Sequence, residues 1–365
     1  MNKEIKNSVR AGASVWKDTS LVALVLVISV ITAVLAWGWL RQTPSHEELF
    51  SDSGRFLHEF KTLFLDGQVK WWTSSFMQGG SSATYFAVSV FLALSLILEQ
   101  VFGSPNGLKI LGLLTIPASA FAAYAFVRKL TDHGWTAFIA GLLYALNAQI
   151  LLRIANFEHV ASAVAYVFIP LILLCFINVA MEGSWRASAL LGLVWSVLIL
   201  TYAKLAFMFL PFALVFYIWL IREHPSRRTL LVRGTIVALV LVFFLSGVLL
   251  LPLTREYQWV AAFSFDNFAG WQQAFSIKNF ISVLDRANGL LAQMRPDFIA
   301  DRGQFYLGLV TLFSVGAVFW WARKHAEWLA TRNGVLLRLF VGMTLLALWL
   351  SQGPFSVFTG VQEFL

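Results

Sequence analysis

The feature that most constrains this chain is a series of long apolar runs separated by short polar segments. The runs cover approximately 21–40, 84–102, 108–127, 134–152, 160–181, 187–202, 205–221, 231–252, 305–322 and 335–351. A helix of about 20 apolar residues is long enough to cross about 30 Å of bilayer hydrocarbon. Only 13% of the residues are charged, against about 25% in a typical soluble domain. The sequence therefore predicts an all-α polytopic membrane protein with a single transmembrane domain over 1–365.

The first apolar run reads as a membrane anchor with a cytoplasmic N-terminus. Four basic residues precede it: Lys3, Lys6, Arg10 and Lys17. It is longer than the apolar stretch of a secretory signal, and it ends in Trp37, Trp39 and Arg41 instead of small residues. Aromatic and basic residues at this point are typical of a membrane–water interface.

The distribution of basic residues decides between ten and nine spans. Eleven of them lie in short loops or at span ends: Arg128, Lys129, Arg186, Arg222, Arg227, Arg228, Arg233, Arg323, Lys324, Arg332 and Arg338. Short cytoplasmic loops are enriched in Lys and Arg, and these residues join the basic N-terminus only if segment 84–102 does not cross. Polar residues such as Ser95 and Glu99 interrupt that segment, which favours a juxtamembrane amphipathic helix. We therefore predict about nine spans.

In this topology the long loops 41–107 and 253–304 face outward. The net charge of +8 follows from the basic loops, so it does not indicate nucleic-acid binding. The chain ends at Leu365, soon after the last predicted span. We expect the native protein to extend beyond it.

The first outer loop contains the first candidate site residues, Asp52 and His58. If a helix begins near residue 53, its apolar residues form one stripe and it lies on the membrane surface. Asp52 then lies near the helix N-terminus, where a carboxylate is either a helix cap or a catalytic base. Both interpretations stay open from the residues alone.

Four more candidates lie at predicted outer span ends: Glu158, His159, Lys204 and Arg255. Glu158 and His159 are either interfacial polar residues or groups that position a hydroxyl acceptor. A basic residue at a span end is either in contact with lipid headgroups or a ligand for a phosphate.

Several motifs are missing from the sequence. It has no Walker A loop, no glycine-rich dinucleotide turn, no zinc-binding Cys/His spacing and no HExxH. Its single cysteine, Cys175, lies in an apolar run. No metal ligands or cofactor are therefore assigned from the residues, although clustered carboxylates make a divalent metal possible.

Dispersed motifs in the chain resemble those of the GT-C superfamily of membrane glycosyltransferases, particularly its bacterial YfhO-like branch. They are the acidic loop residue Asp52 followed by His58, G-x-x-x-W at Gly67–Trp71, the pair Gly79–Gly80, Y-x-x-x-R-K-L at Tyr124–Leu130, Gly141–Leu146, PLIL at Pro170–Leu173, T-x-x-K at Thr201–Lys204 and L-x-x-G-P ending at Pro354. The likeness covers most of the chain as architecture. The chain departs from the family in its first loop. Many members carry paired acidic residues there, whereas in this chain the pair Glu47–Glu48 lies apart from Asp52.

The resemblance implies a GT-C-like fold and an inverting glycosyltransferase that uses a polyprenyl-phosphate-linked sugar. The donor and a glycan, lipid or protein acceptor would meet on the outer face of the cytoplasmic membrane, with Asp52 as base. Lys204 and Arg255 would bind the phosphate, and His58, Glu158 and His159 would orient the substrates. Two other classes stay open: a lipid or polysaccharide transporter or flippase, and a non-catalytic subunit of a cell-envelope assembly complex.

Overall fold

The computed structural model describes residues 18–41, 72–73, 80–81, 89–103, 106–147, 150–151, 154 and 160–247, and, further on, 320, 327, 334–335 and 337–342. The chain divides into two compact units, Met1–Leu253 and Thr254–Leu365. Described residues of the second unit are helical, and the helices named below belong to the first unit. A single domain over 1–365 stays a prediction.

The first unit is built from helices, as predicted. They are α1 (Thr19–Arg41), α2 (Ser89–Phe102), α3 (Asn106–Thr131), α4 (Gly134–Ala145), α5 (Val160–Tyr166), α6 (Phe168–Glu182), α7 (Trp185–Glu223) and α8 (Pro225–Gly247), which opens with the 3-10 turn Pro225–Arg227. Strand β1 (Trp72–Thr73) pairs antiparallel with β2 (Gly80–Ser81), with Trp72 opposite Ser81.

Six helices in the described residues are long and apolar enough to cross a membrane. They are Thr19–Gly38, Asn106–Thr131, Val160–Glu182, Trp185–Ala203, Leu205–Glu223 and Pro225–Gly247. Each corresponds to a predicted span. The predicted span 134–152 contains the 12-residue helix α4, which is too short to cross alone. The last two predicted spans fall almost wholly outside the described residues, so the count of about nine stays a prediction.

Helices α1, α3, α4 and α5 share one apolar core. Leu24 and Ile28 of α1 are buried against Ile116 and Ala120 of α3 and Ala163 of α5. The backbones of α3 and α4 approach closely, because a Cβ added at Gly141 would lie 2.8 Å from the carbonyl oxygen of Ala120. The Tyr144 hydroxyl donates to the carbonyl oxygen of Tyr166 at 2.7 Å and links α4 to α5.

Helix α8 packs against α7 through small residues. A Cβ at Gly192 would lie 2.8 Å from the Ala238 carbonyl oxygen, and one at Gly234 would lie 2.7 Å from Ser188 Oγ. On each helix these small residues are four positions apart, Ser188 with Gly192 and Gly234 with Ala238. Small residues at this spacing allow two membrane helices to approach closely where no hydrophobic effect drives them together.

A polar clasp joins the start of α1 to the end of α3. Asp18 caps α1: its carboxylate accepts hydrogen bonds from the Ser20 amide nitrogen (3.1 Å) and the Ser20 hydroxyl. The Tyr124 hydroxyl donates to Asp18 Oδ2 at 3.0 Å, and Arg128 Nε lies 3.3 Å from the same oxygen. The clasp satisfies an N-terminal backbone donor of α1 and fixes α1 antiparallel to α3.

Replacing Asp18 by alanine is expected to lower the free energy of unfolding by about 2 kcal/mol, because the helix cap and several charge-assisted hydrogen bonds are lost together. The measurement is thermal or denaturant unfolding of the detergent-solubilised protein. Asp132→Asn is the matched control: Asp132 also lies near Arg128, at 3.6 Å, but its side chain is 99% exposed, and asparagine tolerates its φ of 61°. It is expected to change stability by less than about 0.5 kcal/mol. Equal losses in the two variants would contradict a specific role for the clasp.

The clasp also predicts the direction of a pH effect. The Ser20 hydroxyl bond holds the pKa of Asp18 below its ordinary value, with further help from Tyr124, the Ser20 amide and Arg128, while burial opposes the shift. A lowered carboxyl pKa adds stability that is fully present above the ordinary pKa. That stability is lost as the pH falls through the lowered pKa. The stability gap between Asp18→Ala and the unmodified protein should therefore close only in strong acid.

Several contacts gather the basic turns at one end of this unit, here called the basic end. The clasp holds Arg128 there beside the start of α1. Arg227 donates to the Met181 carbonyl oxygen, and Phe126 and Phe216 stack edge to face with ring centroids 5.9 Å apart. The end of α3, the α6–α7 turn and the α7–α8 turn therefore lie together, as the loop-charge pattern predicts.

Candidate functional site

Most of the predicted site residues lie outside the described residues. These are Asp52, His58, Glu158, His159 and Arg255. The backbone of Lys204 is described within α7, but its side chain is not. The candidate site is therefore built from the described residues at the end of the unit opposite the basic end.

Helix α7 is a hairpin of two helices with its apex at Tyr202. The backbone of Tyr202 is non-helical, with φ −163° and ψ 86°. Trp195 lies seven residues before it and Phe209 seven residues after it, and their ring centroids are 6.1 Å apart. The two halves therefore run back along each other, and T-x-x-K (Thr201–Lys204) forms the turn between them.

The apex packs onto the helices that begin or end at the same end of the unit. Tyr202 is packed against a cluster formed by α2, α3 and α5, whose buried residues are Phe91, Leu92, Leu108, Leu111, Val160, Ala161 and Val164. Val160 is the residue that follows His159 in the sequence. The fold thus brings the T-x-x-K turn next to the starts of α3 and α5, which are far from it in sequence. We call this the apex end.

Two charged side chains are buried in the described part of the chain, and both are at the apex end. Glu99 in the last turn of α2 is 8% exposed, and Lys109 in the first turn of α3 is 1% exposed. Burying an isolated charge costs several kcal/mol, so residues of this kind are retained near an opposite charge or a charged ligand. Their opposite signs keep the net charge of this buried region near zero.

A glycine contact holds the α2–α3 turn together. A Cβ at Gly107 would lie 2.7 Å from both Cα and Cγ of Glu99. Any larger residue would therefore push the first turn of α3 away from α2. The turn itself contains Gly103, whose φ of +78° is a conformation that glycine adopts without strain. Gly103 and Gly107 thus determine the positions of Glu99 at the end of α2 and Lys109 at the start of α3.

Helix α2 buries polar residues together with apolar ones. Its polar residues Ser95 (0% exposed) and Glu99 are buried, whereas its apolar residues Ile97 (61%) and Val101 (68%) are exposed. The helix is 14 residues long, about 21 Å, and so is too short to cross, as the nine-span prediction requires. Its buried side holds Phe91 and Leu92 beside Ser95 and Glu99, and its outer side exposes Gln100 beside Ile97 and Val101. The prediction that it lies on the membrane surface stays a prediction.

Glu99 and Lys109 carry only weak signals in the sequence. In the sequence Glu99 only interrupts an apolar run, and Lys109 is a basic residue at the edge of a span, where such residues commonly extend to the lipid headgroups. Their burial depends on the α2–α3 turn and on α5, which are packing features that no local pattern encodes.

The described residues contain no cluster of three or more His, Cys, Asp or Glu side chains able to hold a metal ion. The possible divalent metal therefore stays an expectation tied to the outer-loop carboxylates. Comparison with known proteins returns no match, either among protein-family models or among curated proteins. The function has to be inferred from the chain itself.

Proposed function

We propose that this protein is a membrane glycosyltransferase of the GT-C type that transfers a sugar from a polyprenyl-phosphate donor. The observation that carries the proposal is the apex end, where the T-x-x-K turn of α7 packs beside the start of α3, which carries buried Lys109 and follows buried Glu99 at the end of α2. Lysine and arginine are the usual ligands of phosphate groups. A lipid phosphate is the anion that a membrane-embedded basic site can meet directly.

The proposed chemistry is an inverting displacement. Asp52 takes the proton of the acceptor hydroxyl, whose oxygen attacks the anomeric carbon of the donor. The bond between that carbon and the phosphate oxygen breaks, and polyprenyl phosphate leaves with the electron pair. Lys204 and Arg255 stabilise the leaving phosphate, while His58, Glu158 and His159 orient sugar and acceptor. The acceptor is a glycan, a lipid or a protein.

The placement of charge favours this function over transport. Transporters tend to carry ionisable residues and broken helices at mid-membrane depth. In the described spans the charged residues lie within about two turns of a helix end, as Lys109, Arg128, Arg186 and Arg222 do. The helix break at Tyr202 is likewise at an apex and not at mid-depth. A site at one membrane face suits a transferase that meets a second substrate there.

A direct assay tests the proposal. The full chain is reconstituted in nanodiscs with a panel of polyprenyl-phosphate sugars and membrane-derived acceptors, and release of polyprenyl phosphate is followed. Acceptor-dependent release is expected for at least one donor. Movement of intact donor between leaflets of a sealed vesicle, without release, would favour a flippase instead. The same sugars linked to a nucleotide are the control donors and should not react.

The proposed topology has the basic end in the cytoplasm and the apex end outside. Ser226 and Asn106 are exposed residues at opposite ends of the unit. Ser226→Cys should be labelled by an impermeant thiol reagent only after the membrane is opened, and Asn106→Cys should be labelled in intact cells. Native Cys175 is buried, so background labelling is low. Labelling of Ser226→Cys from outside would overturn the nine-span topology.

A further inference from the structure

Helix α8 carries an arginine on its outer side, within a stretch long enough to cross a membrane. Arg233 is exposed, and so are the apolar residues one turn to either side of it, Leu230, Ile236 and Val237. In a membrane these apolar side chains contact lipid. A charge is costly in hydrocarbon, so an arginine at such a place extends its guanidinium to the nearest headgroups. Arg233 therefore marks the depth at which lipid tails meet headgroups.

The packing of α8 on α7 places a second arginine at the same depth. The first half of α7 and α8 both start at the basic end and run parallel, and their contacts advance by one turn on both helices together. By this register Arg186 of α7 is level with position 232, next to Arg233. Both arginines are exposed, so both lie in one headgroup layer. The contacts that define the register are Ser188 with Gly234 and Gly192 with Ala238.

The starts of α7 and α8 have the composition of a membrane–water interface. Trp185, the first residue of α7, is 73% exposed, and exposed tryptophan is typical of that interface. Neither helix has an acidic residue in its first turn, although the positive end of a helix dipole favours one. Exposed Arg186 and Arg228 stand there instead. The anion that these helix starts favour therefore has to come from outside the described part of the chain.

The charge balance separates these arginines from Arg128. Arg128 is paired with Asp18, whereas Arg186, Arg228 and Arg233 form no ion pair within the described residues. Around them arginine outnumbers glutamate. The charged residues of the α6–α7 and α7–α8 turns are Glu182, Arg186, Arg222, Glu223, Arg227, Arg228 and Arg233. The excess of positive charge selects an anion, and the apolar surroundings of Arg233 select an anion that is attached to a lipid.

We propose that Arg186, Arg228 and Arg233 bind the phosphate groups of anionic phospholipids in the membrane leaflet that the basic end faces. Guanidinium groups bind phosphate through charge-assisted hydrogen bonds. The proposal does not depend on sugar transfer, because it concerns the end of the unit opposite the apex end. A transporter or an assembly subunit with this structure would bind the same lipids.

The test measures which lipids the full chain retains. The protein is released from nanodiscs that contain equal amounts of phosphatidylglycerol and phosphatidylcholine with the same acyl chains, and the bound lipids are counted by native mass spectrometry. We expect phosphatidylglycerol to be preferred about fivefold or more, since a basic residue near an anionic membrane surface contributes about 1 kcal/mol. The triple variant Arg186→Gln/Arg228→Gln/Arg233→Gln should retain the two lipids about equally.

Single variants keep the test valid if the triple variant fails to fold. Arg233→Gln, at an exposed position, should lower the preference by about half or more, and Arg233→Lys should keep most of it because the charge remains. Arg222→Gln is the matched control. Arg222 is an exposed arginine at the same end, but it lies in the last turn of α7, where the negative end of the helix dipole offsets its charge. It should leave the preference unchanged.

Three results would overturn the proposal. The first is equal retention of the two lipids by the unmodified protein. The second is an equal loss of preference in Arg222→Gln and Arg233→Gln, which would show attraction by net charge alone. The third is displacement of bound phosphatidylglycerol by excess soluble glycerol 3-phosphate, which would show a site for a free phosphate and not for a lipid.

Discussion

Asp52→Asn should abolish sugar transfer while leaving the protein folded and inserted in the membrane. Asparagine has the size of aspartate but cannot take a proton from the acceptor hydroxyl. Loss of a general base commonly costs about 10²–10⁴-fold in rate, enough to bring a slow membrane transferase to background. The measurement is acceptor-dependent release of polyprenyl phosphate, together with binding of the donor, which should persist because Asp52 is not assigned to the phosphate.

The neighbouring carboxylates provide the controls. Asp66→Asn removes another carboxylate from the same predicted outer loop and should leave transfer within about twofold, since Asp66 is assigned no role in the reaction. Glu47→Gln and Glu48→Gln test the other acidic residues that the family resemblance leaves open as the base. Full activity of Asp52→Asn would exclude Asp52 as the base, and loss of activity in a Glu47 or Glu48 variant would transfer that role.

Gly192→Val should cause a large loss of stability in the first unit. Even the first atom of a side chain at this position would lie 2.8 Å from the Ala238 carbonyl oxygen and 2.9 Å from Leu241 Cβ. Because the nearest atom, the Ala238 carbonyl oxygen, belongs to the backbone, it cannot change rotamer as a side chain can. Helices α7 and α8 must therefore separate. Overpacking commonly costs 1–3 kcal/mol, and we expect a loss of about 3 kcal/mol, measured by thermal unfolding in detergent.

Gly38→Val is the matched control for this substitution. Gly38 also lies in a membrane-spanning helix, but a Cβ there would meet nothing within 4 Å. The two variants have the same side chain and nearly the same change in helix propensity, so their difference isolates the contact between α7 and α8. Equal stability of the two variants would contradict the close packing of these helices.

The sequence predicts some helices of this protein better than others. Helix α1 follows from its run of apolar residues alone, since a helix satisfies its backbone polar groups within one segment when it lies in lipid. The same reasoning correctly predicted six of the spans. The predicted span 134–152 contains the regular helix α4, which ends at Ala145, so a crossing by this segment stays a prediction.

Helix α2 shows why a polar pattern can mislead in a membrane protein. Ser95 and Glu99 interrupt its apolar run, and in a helix on the membrane surface they would face water. The structure buries both and exposes Ile97 and Val101. Periodicity in the sequence distinguishes the two faces of a helix. In a membrane protein it does not tell which face packs against the protein and which faces lipid.

The series of apolar runs by itself determined that the chain is a helical membrane protein, and the basic residues between the runs determined which turns lie together. Both follow from the free-energy cost of placing unpaired backbone polar groups and charged side chains in hydrocarbon. Only the tertiary structure decided that Tyr202 is the apex of a hairpin, that this apex packs beside the start of α3, and that Glu99 and Lys109 are buried. These outcomes depend on close contacts between segments that are distant in sequence. Such contacts produce no periodic pattern in the sequence.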